Sequence, residues 1–406
     1  MTPVHVIGGG PAGMAAAFFA ARSGASVRLF ERNEKLGKKL YITGKGRCNV
    51  TNVAENPIAH IPRNPRFLHS ALAFLSADDL RALLLTLGCP TIVERGGRVF
   101  PESQKASDVT RAFEKALLRN VDIHYHSRII DVAPLLESGP VIVATGGASY
   151  PSTGSTGDGY RIAAAAGHTV FAARPSLVPL ETKEDWPKRL AGVSLANVTL
   201  KAEVAKKVKF EELGEMLFTH FGVSGPLVLS MSSQIVEDDL AKLSIHIDMK
   251  PGLSCEQLER RLIREIESGA KKQALSLLAR LVPQAMAEVI ASLCGIDGRK
   301  PAAQITREER MRLVDCLKNL PIRPSCFRPL EEAIVTRGGV DVKEVDPKTM
   351  MSKLVPGLFF AGEVLDVDAR TGGYNIQIAF STGALAGVSA AGWAFRRSKY
   401  EFDDKR

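Results

Sequence analysis

Aromatic residues are scarce in this chain: 6% of 406 residues, with two tryptophans. Reading single-stranded nucleic acid by stacking calls for clustered aromatics, and the sequence shows no such cluster. The six cysteines (Cys48, Cys89, Cys255, Cys294, Cys316, Cys326) form no C-x-x-C pair. That argues against a disulfide framework or a cysteine-rich zinc site and fits a reducing cytoplasm, and the histidines add no metal spacing. The longest apolar run near the N-terminus, Met14 to Ala21, is too short to span a bilayer. No basic segment precedes it, so neither a secretory signal nor a membrane partner is expected. Acidic residues are outnumbered 44 to 53, a net charge of +9. The basic residues are dispersed, in groups no denser than Lys206, Lys207 and Lys209 or Arg396, Arg397 and Lys399. This favours a solvated surface over a nucleic-acid footprint, although a phosphate-bearing cofactor also rewards positive potential.

What is present is the composition of a folded protein, 45% hydrophobic and 24% charged, with 35 glycines. At roughly 150 residues per domain the length predicts two or three domains. There is no internal repeat and no low-complexity segment.

Val4-His5-Val6-Ile7 reads as a short strand, followed by a glycine turn and an Ala-rich helix that Gly24 stops. Ser26 to Phe30 is a second strand, ending at Glu31. Helical spacing resumes from Arg66 to Leu87, and Ser107 to Leu118 reads as a helix with Ser107 as its N-cap. Val121 to Val132 looks like strand, and Val141 to Val143 is a buried strand running into Gly146-Gly147. From about residue 190 the texture changes. Half-buried strands at Val198–Leu200 and Leu243–Ile247 give way to helical spacing from Cys255 to Leu293, broken near Gly269 and Pro283, and then to a helix at Arg307–Leu317. After Pro329 the strand-and-turn pattern returns at Gly357–Glu363. A last helix spans about Asn375 to Phe395, with a charged, frayed tail beyond it.

Gly8-x-Gly10-x-x-Gly13 lies between the first strand and the first helix, the context a dinucleotide fingerprint requires. Gly8 permits a tight turn, Gly10 lets a pyrophosphate approach the backbone, and Gly13 lets helix and strand pack closely. The helix N-terminus offers N–H groups and a positive dipole to phosphates. Glu31 can accept both ribose hydroxyl protons. This unit alone does not separate FAD from NAD. The second clue is far away: Leu358-Phe359-Phe360 ends in Gly362-Glu363 and is followed by Thr371-Gly372-Gly373-Tyr374-Asn375 and another helix. A long cofactor reaching from the first unit ends there, and the helix dipole would stabilise a reduced flavin ring. No second G-x-G-x-x-G follows a strand, so no dedicated Rossmann domain for NAD(P)H is expected.

Both ends resemble FAD-binding flavoproteins with the glutathione-reductase-type Rossmann fold. The run Thr43-Gly44-Lys45-Gly46-Arg47-Cys48-Asn49-Val50-Thr51-Asn52 resembles the BaiN-like (aminoacetone-oxidase-like) family of NAD(P)/FAD-dependent oxidoreductases. So do Gly96–Pro101, Ser152–Tyr160 and Leu217–Pro226. The resemblance covers nearly the whole chain. It implies an α/β fold: a Rossmann-type FAD-binding domain built from residues 1–190 and 331–406, with an inserted substrate-side domain of strands then helices at 191–330. By position, Gly8, Gly10, Pro11, Ala12 and Gly13 would hold the pyrophosphate, Glu31 the adenosine ribose, and Arg32 would lie near the adenine. Lys39, Arg47 and Cys48 would line the ribityl–flavin half. A strand holding Ile129 would meet the adenine, and Thr145 and Gly146 would cover the cofactor. Gly362 and Glu363 would close on the pyrophosphate or ribityl chain. Gly373, Asn375 and Ile376 would present N–H groups to the flavin pyrimidine edge. The stretch from Ile129 to Val141 is shorter than the β-meander relatives place there.

Other residues carry two readings. Cys48 lacks a partner at Val53, so it packs against the flavin rather than forming a redox dithiol. Arg47 either stabilises charge at the flavin or substrate, or makes a structural ion pair. His220 is a general acid or fixes a loop. Asp158, in Gly157-Asp158-Gly159, caps the helix that follows. The leading expectation is a cytoplasmic FAD-dependent oxidoreductase acting on a small organic substrate, with NAD(P)H as a candidate reductant. The alternatives are an FAD-dependent tRNA-modifying flavoprotein and a flavin-binding regulator without turnover. Substrate is expected to enter between the Arg47–Asn49 loop, the Gly372–Asn375 turn and the inserted domain.

Overall fold

The computed structural model describes residues 2–235 and 237–403 and divides into two compact units. The first comprises Met1–Ser176 and Pro329–Arg406, the second Leu177–Arg328.

At the centre of the first unit lies a parallel five-stranded sheet in the order Leu358–Phe360, Val141–Val143, Val4–Ile7, Val27–Phe30, Val121–His124. The first strand is buried at all four positions, as sheets covered on both faces require. Helix Pro11–Arg22 crosses between the first two strands, with Pro11 at its first turn, where a missing N–H costs nothing. The C-terminal helix, Tyr374–Asp403, lies against it. A Cβ on Gly383 would sit 2.1 Å from the Ala12 carbonyl oxygen, and one on Gly387 would sit 2.3 Å from that of Ala16. The two helices therefore meet backbone to backbone. The stretch Tyr374–Ser398 is long and apolar enough to cross a membrane, but 72% of its most apolar window is buried inside the fold. This helix runs eight residues beyond the expected Phe395 end, through most of the charged tail; Asp404–Arg406 lie outside the described residues.

Three local expectations give way. The helical spacing from Arg66 to Leu87 resolves into a 3-10 turn at Pro65–Leu68 and helices His69–Phe74 and Ala77–Thr86. Ser76 makes the break: its hydroxyl accepts from Asp79 N, and the Asp79 carboxylate accepts from Ser76 N, a reciprocal cap that starts a new helix. Ser107 is not an N-cap; helix Ala106–Leu117 begins one residue earlier, with Lys105 at the cap position. The strand expected to reach Val132 stops at His124. His126 takes a left-handed φ of +55° that turns the chain away, and Ser127 N bonds to Glu31 O. Ile129 is therefore not on a strand, and the short helix Ala133–Ser138 stands where relatives would place a meander.

The second unit is built on a seven-stranded antiparallel sheet in the order Leu320–Ile322, Leu243–Asp248, Ser194–Val204, Lys207–Thr219, Gly222–Ser224, Leu180–Thr182, Pro324–Phe327. Its long hairpin turns at Ala205-Lys206, both at positive φ, as a primed two-residue turn requires. Helices Cys255–Ser268, Ala274–Leu278, Gln284–Cys294 and Arg307–Lys318 add a second layer to a core of the unit's own. The unit begins at Leu177, earlier than the expected 191, because Leu180 and Glu181 already pair with Val223 and Gly222.

Candidate nucleotide-binding cleft

The glycine turn after the first strand shows why each glycine is there. Gly8 has a φ of +99°, and a Cβ on it would lie 2.5 Å from the Ala144 carbonyl oxygen. A Cβ on Gly13 would lie 1.7 Å from Gly8 O, so only hydrogen fits. Gly10 is the opposite case: an added Cβ would meet no heavy atom within 4 Å. The first helical bond runs from Met14 N to Gly10 O. The amides of Ala12 and Gly13 therefore lie in the first turn, where N–H groups have no acceptor within the helix. The result is an open shelf above Gly10, edged by donors and the positive end of a helix.

Glu31 closes one side. Its Oε2 accepts from Gly9 N at 2.6 Å, and Oε1 accepts from Asn33 N at 2.8 Å and Asn33 Nδ2 at 2.7 Å. A carboxylate has about four acceptor directions, so one remains for a further donor. Arg32 points elsewhere. Its Nη1 donates to Thr156 Oγ1 at 2.6 Å and to Asp158 Oδ2 at 3.2 Å. Asp158 is buried and also receives Arg128, at 2.9 and 2.8 Å, and Arg161. It stands inside its helix with Gly157 as cap, so the capping expectation is replaced by a carboxylate holding three guanidinium groups.

The distant C-terminal segment comes to the same place. Strand Leu358–Phe360 pairs with Val141–Val143, and the turn at Gly362 (φ +77°) puts its Cβ position 2.8 Å from the Ala12 methyl. Glu363 meets Lys39: Nζ lies 3.0 Å from Oε2 and 2.8 Å from Ser149 Oγ. Glu363 Oε1 accepts from Thr336 N at 2.8 Å. Thr145 lies just beyond strand Val141–Val143, and its Oγ1 is buried with no partner among the described residues. Gly146 turns there with a Cβ position 3.0 Å from Ser155 Oγ. Asn375 clasps the preceding loop, accepting from Ala369 N at 2.9 Å and donating to Ala369 O at 2.8 Å. Gly373 lies so close to Thr51 that a Cβ would come within 2.5 Å of its carbonyl oxygen. The amides of Asn375 and Ile376 fall in the first turn of the C-terminal helix, whose first internal bond is Gln377 N to Gly373 O.

Arg47 and Cys48 take structural places. The Arg47 guanidinium stacks over Phe100, 4.0 Å from its centroid, and bonds Glu94 and Gln104. Cys48 is wholly buried, and burial, with Cys89 nearby, pushes its thiol up to about 12. It stays protonated at neutral pH. In the second unit, His220 occupies the hairpin turn between Thr219 and Gly222, its ring 4.9 Å edge-on from Phe221.

Sequence reasoning missed a buried charge cluster that leads into the Thr371–Asn375 turn. Arg63 Nε lies 2.9 Å from Asp366 Oδ1, and Gly338 N donates to the same carboxylate at 3.1 Å. Asp368 is fully buried and accepts from Ser176 Oγ at 2.6 Å. Burial pushes its carboxyl up from the usual range, against the pull of Arg337. The one available signal was the pair of aspartates two residues apart just before the glycine turn. Nothing in the spacing announced Arg63, Thr336 or Ser149.

Residues 2–389 match the family described as HI0933-like protein Rossmann domain. The chain is 30% identical over 408 residues to the 3-dehydro-bile acid delta(4,6)-reductase of Clostridium scindens, spanning 96% of this chain and 99% of that one. It is 33% identical over 403 residues to the ribosomal RNA dihydrouridine synthase of Haemophilus influenzae, spanning 95% and 97%. The protein of that name from Escherichia coli is 31% identical over 396 residues, spanning 93% and 95%.

Proposed function

The chain belongs to the HI0933-like family and is an FAD-dependent oxidoreductase, and from that premise we propose that its substrate is a carbon–carbon double bond conjugated to a carbonyl. The relatives support this through chemistry their names share. A 3-dehydro bile acid unsaturated at positions 4 and 6 is a conjugated ketone. Uracil carries a ring double bond next to a carbonyl, and dihydrouridine has lost it. Each reduction adds hydride to one carbon and a proton to its neighbour.

The observation that carries the cofactor side of the reading is the open shelf above Gly10, where a side chain would meet nothing. The residues around it fit a dinucleotide. When bound, FAD supplies hydride transfer. The chain's own groups do the rest. The amides of Ala12 and Gly13 bind phosphate oxygens, and Glu31 offers its remaining acceptor direction to a ribose hydroxyl. Lys39 and Glu363 hold each other across the cleft. The N-terminus of the C-terminal helix, at Asn375 and Ile376, favours negative charge at the ring edge. NADH or NADPH is the proposed reductant, binding without a Rossmann domain of its own, and the cytoplasm the proposed setting.

A second reading keeps the chemistry and changes the substrate to a uracil base in RNA. The two RNA-acting relatives and the net charge of +9 favour it; the dispersal of that charge places it second. The test is anaerobic reduction of the flavin by each nicotinamide, then mixing with a 3-oxo-Δ4 steroid, an unmodified ribosomal RNA fragment or tRNA. Reoxidation with a product gaining two hydrogens identifies the substrate. A flavin reoxidised by dioxygen and by none of these overturns the alkene reading.

A further inference from the structure

The helical layer of the second unit holds three cysteines that this chemistry does not use, two of them on neighbouring helices. Cys294 ends helix Gln284–Cys294 and is 2% exposed; Cys316 lies in helix Arg307–Lys318 and is half-buried. The Cys294 thiol lies 3.8 Å from the Arg312 carbonyl oxygen. Cys316 is four residues after Arg312, so its amide bonds that same carbonyl in a regular helix and its side chain lies on the same face. The contact is returned: Arg312 Nε donates to the Cys294 carbonyl at 2.8 Å. The helices are thus pinned so that the Cys294 thiol and the Cys316 amide meet at one carbonyl, which brings the two thiols close together.

We propose that Cys294 and Cys316 form a reversible oxidation site that consumes one hydrogen peroxide and closes to a disulfide between the two helices. In the first step a thiolate sulfur attacks one peroxide oxygen. The O–O bond breaks, the departing oxygen leaves as water, and the sulfur becomes a sulfenic acid. The second sulfur then attacks the first. The S–S bond forms, the S–O bond breaks, and a second water leaves. The thiols lose two electrons, the peroxide gains two, and the two waters carry both thiol protons.

The surroundings suit this step. The hydrogen bond from Cys316, helped by the Arg312 charge, lowers the Cys294 thiol, while the same bond and burial push Cys316 up. The pair therefore yields its first proton more readily than an isolated thiol, which supplies the nucleophile. Partly exposed Cys316 opens the way in, and the neighbouring sulfur intercepts the sulfenic acid before further oxidation. Cys48 and Cys89, the other neighbouring pair, are both buried, and burial pushes both thiols up.

The test treats the full-length protein with increasing hydrogen peroxide, alkylates free thiols and digests without reductant for mass spectrometry. The expected result is a Cys294–Cys316 linked peptide at about one equivalent, reversed by dithiothreitol, with exposed Cys255 and Cys326 still alkylated. Cys294→Ser and Cys316→Ser should each lose the link and leave the remaining thiol as sulfinic or sulfonic acid. Absence of the linked peptide in wild type at excess peroxide, or a Cys48–Cys89 link in its place, overturns the proposal.

Discussion

Lys39 Nζ lies 3.0 Å from Glu363 Oε2, joining residues 324 positions apart. The pair ties the loop after the second strand to the turn after the last one, and it is mostly enclosed, with side-chain exposures of 21% and 20%. Lys39→Met leaves Glu363 without its cation and should cost about 1–3 kcal/mol. Adding Glu363→Gln should recover part of that loss, because no carboxylate is then stranded. Urea melts of the four-member cycle measure the coupling, and strictly additive losses would show that the pair contributes nothing.

Gly10 and Gly13 should separate binding from folding. Gly13→Ala drives a methyl into Gly8 O and should destabilise the fold by at least about 3 kcal/mol. At Gly10 the backbone φ is −73° and the space is open, so Gly10→Ala should leave the apoprotein unchanged or more stable by about 0.4–1 kcal/mol. It should nonetheless weaken FAD at least about tenfold, or about 1.4 kcal/mol, because the methyl occupies the shelf. Fluorescence titration and thermal melts read the two effects. FAD bound at wild-type affinity would remove the shelf from the binding site.

Arg47→Ala should lower stability by about 1 kcal/mol through loss of the Phe100 stack and the Glu94 pair. Stopped-flow absorbance should show both flavin half-reactions unchanged with FAD still bound. A slowed half-reaction would assign Arg47 to charge stabilisation at the cofactor instead.

Stability should decline in acid through His5. Its ring is buried in the central sheet, bonded to Ser138 Oγ at 2.8 Å, and directly opposite Arg28 on the next strand. Burial first and Arg28 second lower it to about 4. The unfolded chain takes up this proton near pH 6.5 and the folded chain does not until near 4. Stability is therefore whole above about 6.5 and falls between the two values, by at most about 1.4 kcal/mol per pH unit. In chemical denaturation, His5→Asn should flatten this window relative to wild type. An unchanged slope would place the acid sensitivity elsewhere.

The sheet core was legible because its strands are short apolar runs punctuated by glycine, and the Gly8–Gly13 turn because a strand, three glycines and a helix coincide. What failed was local reasoning about residues whose partners are distant. Asp158 looks like a cap within its own segment, yet three arginines, from positions 32, 128 and 161, claim it. Ile129 and Ile130 read as strand by side-chain type, but the chain turns away beside Val121–His124, the edge strand among the described residues. The helix break at Ser76 was available in Ser76-Ala77-Asp78-Asp79 and was overridden by leucine spacing. Arg47 carried two readings in the sequence; the Phe100 stack and the Glu94 and Gln104 bonds, brought close only by folding, favour the structural ion pair.

The seam between the first and last helices also sets an order of events during synthesis. Ala12 leaves the ribosome 371 residues ahead of Gly383, the residue whose missing side chain lets the last helix settle against it. Until then the glycine turn lacks its closing helix, and until residue 362 it also lacks the turn at Gly362 that packs on Ala12. Such long separations slow folding, since the chain must close a very large loop before the contact rewards it. The nascent protein thus carries an unclosed glycine turn through most of translation, and on the proposed reading FAD capture would be a late event.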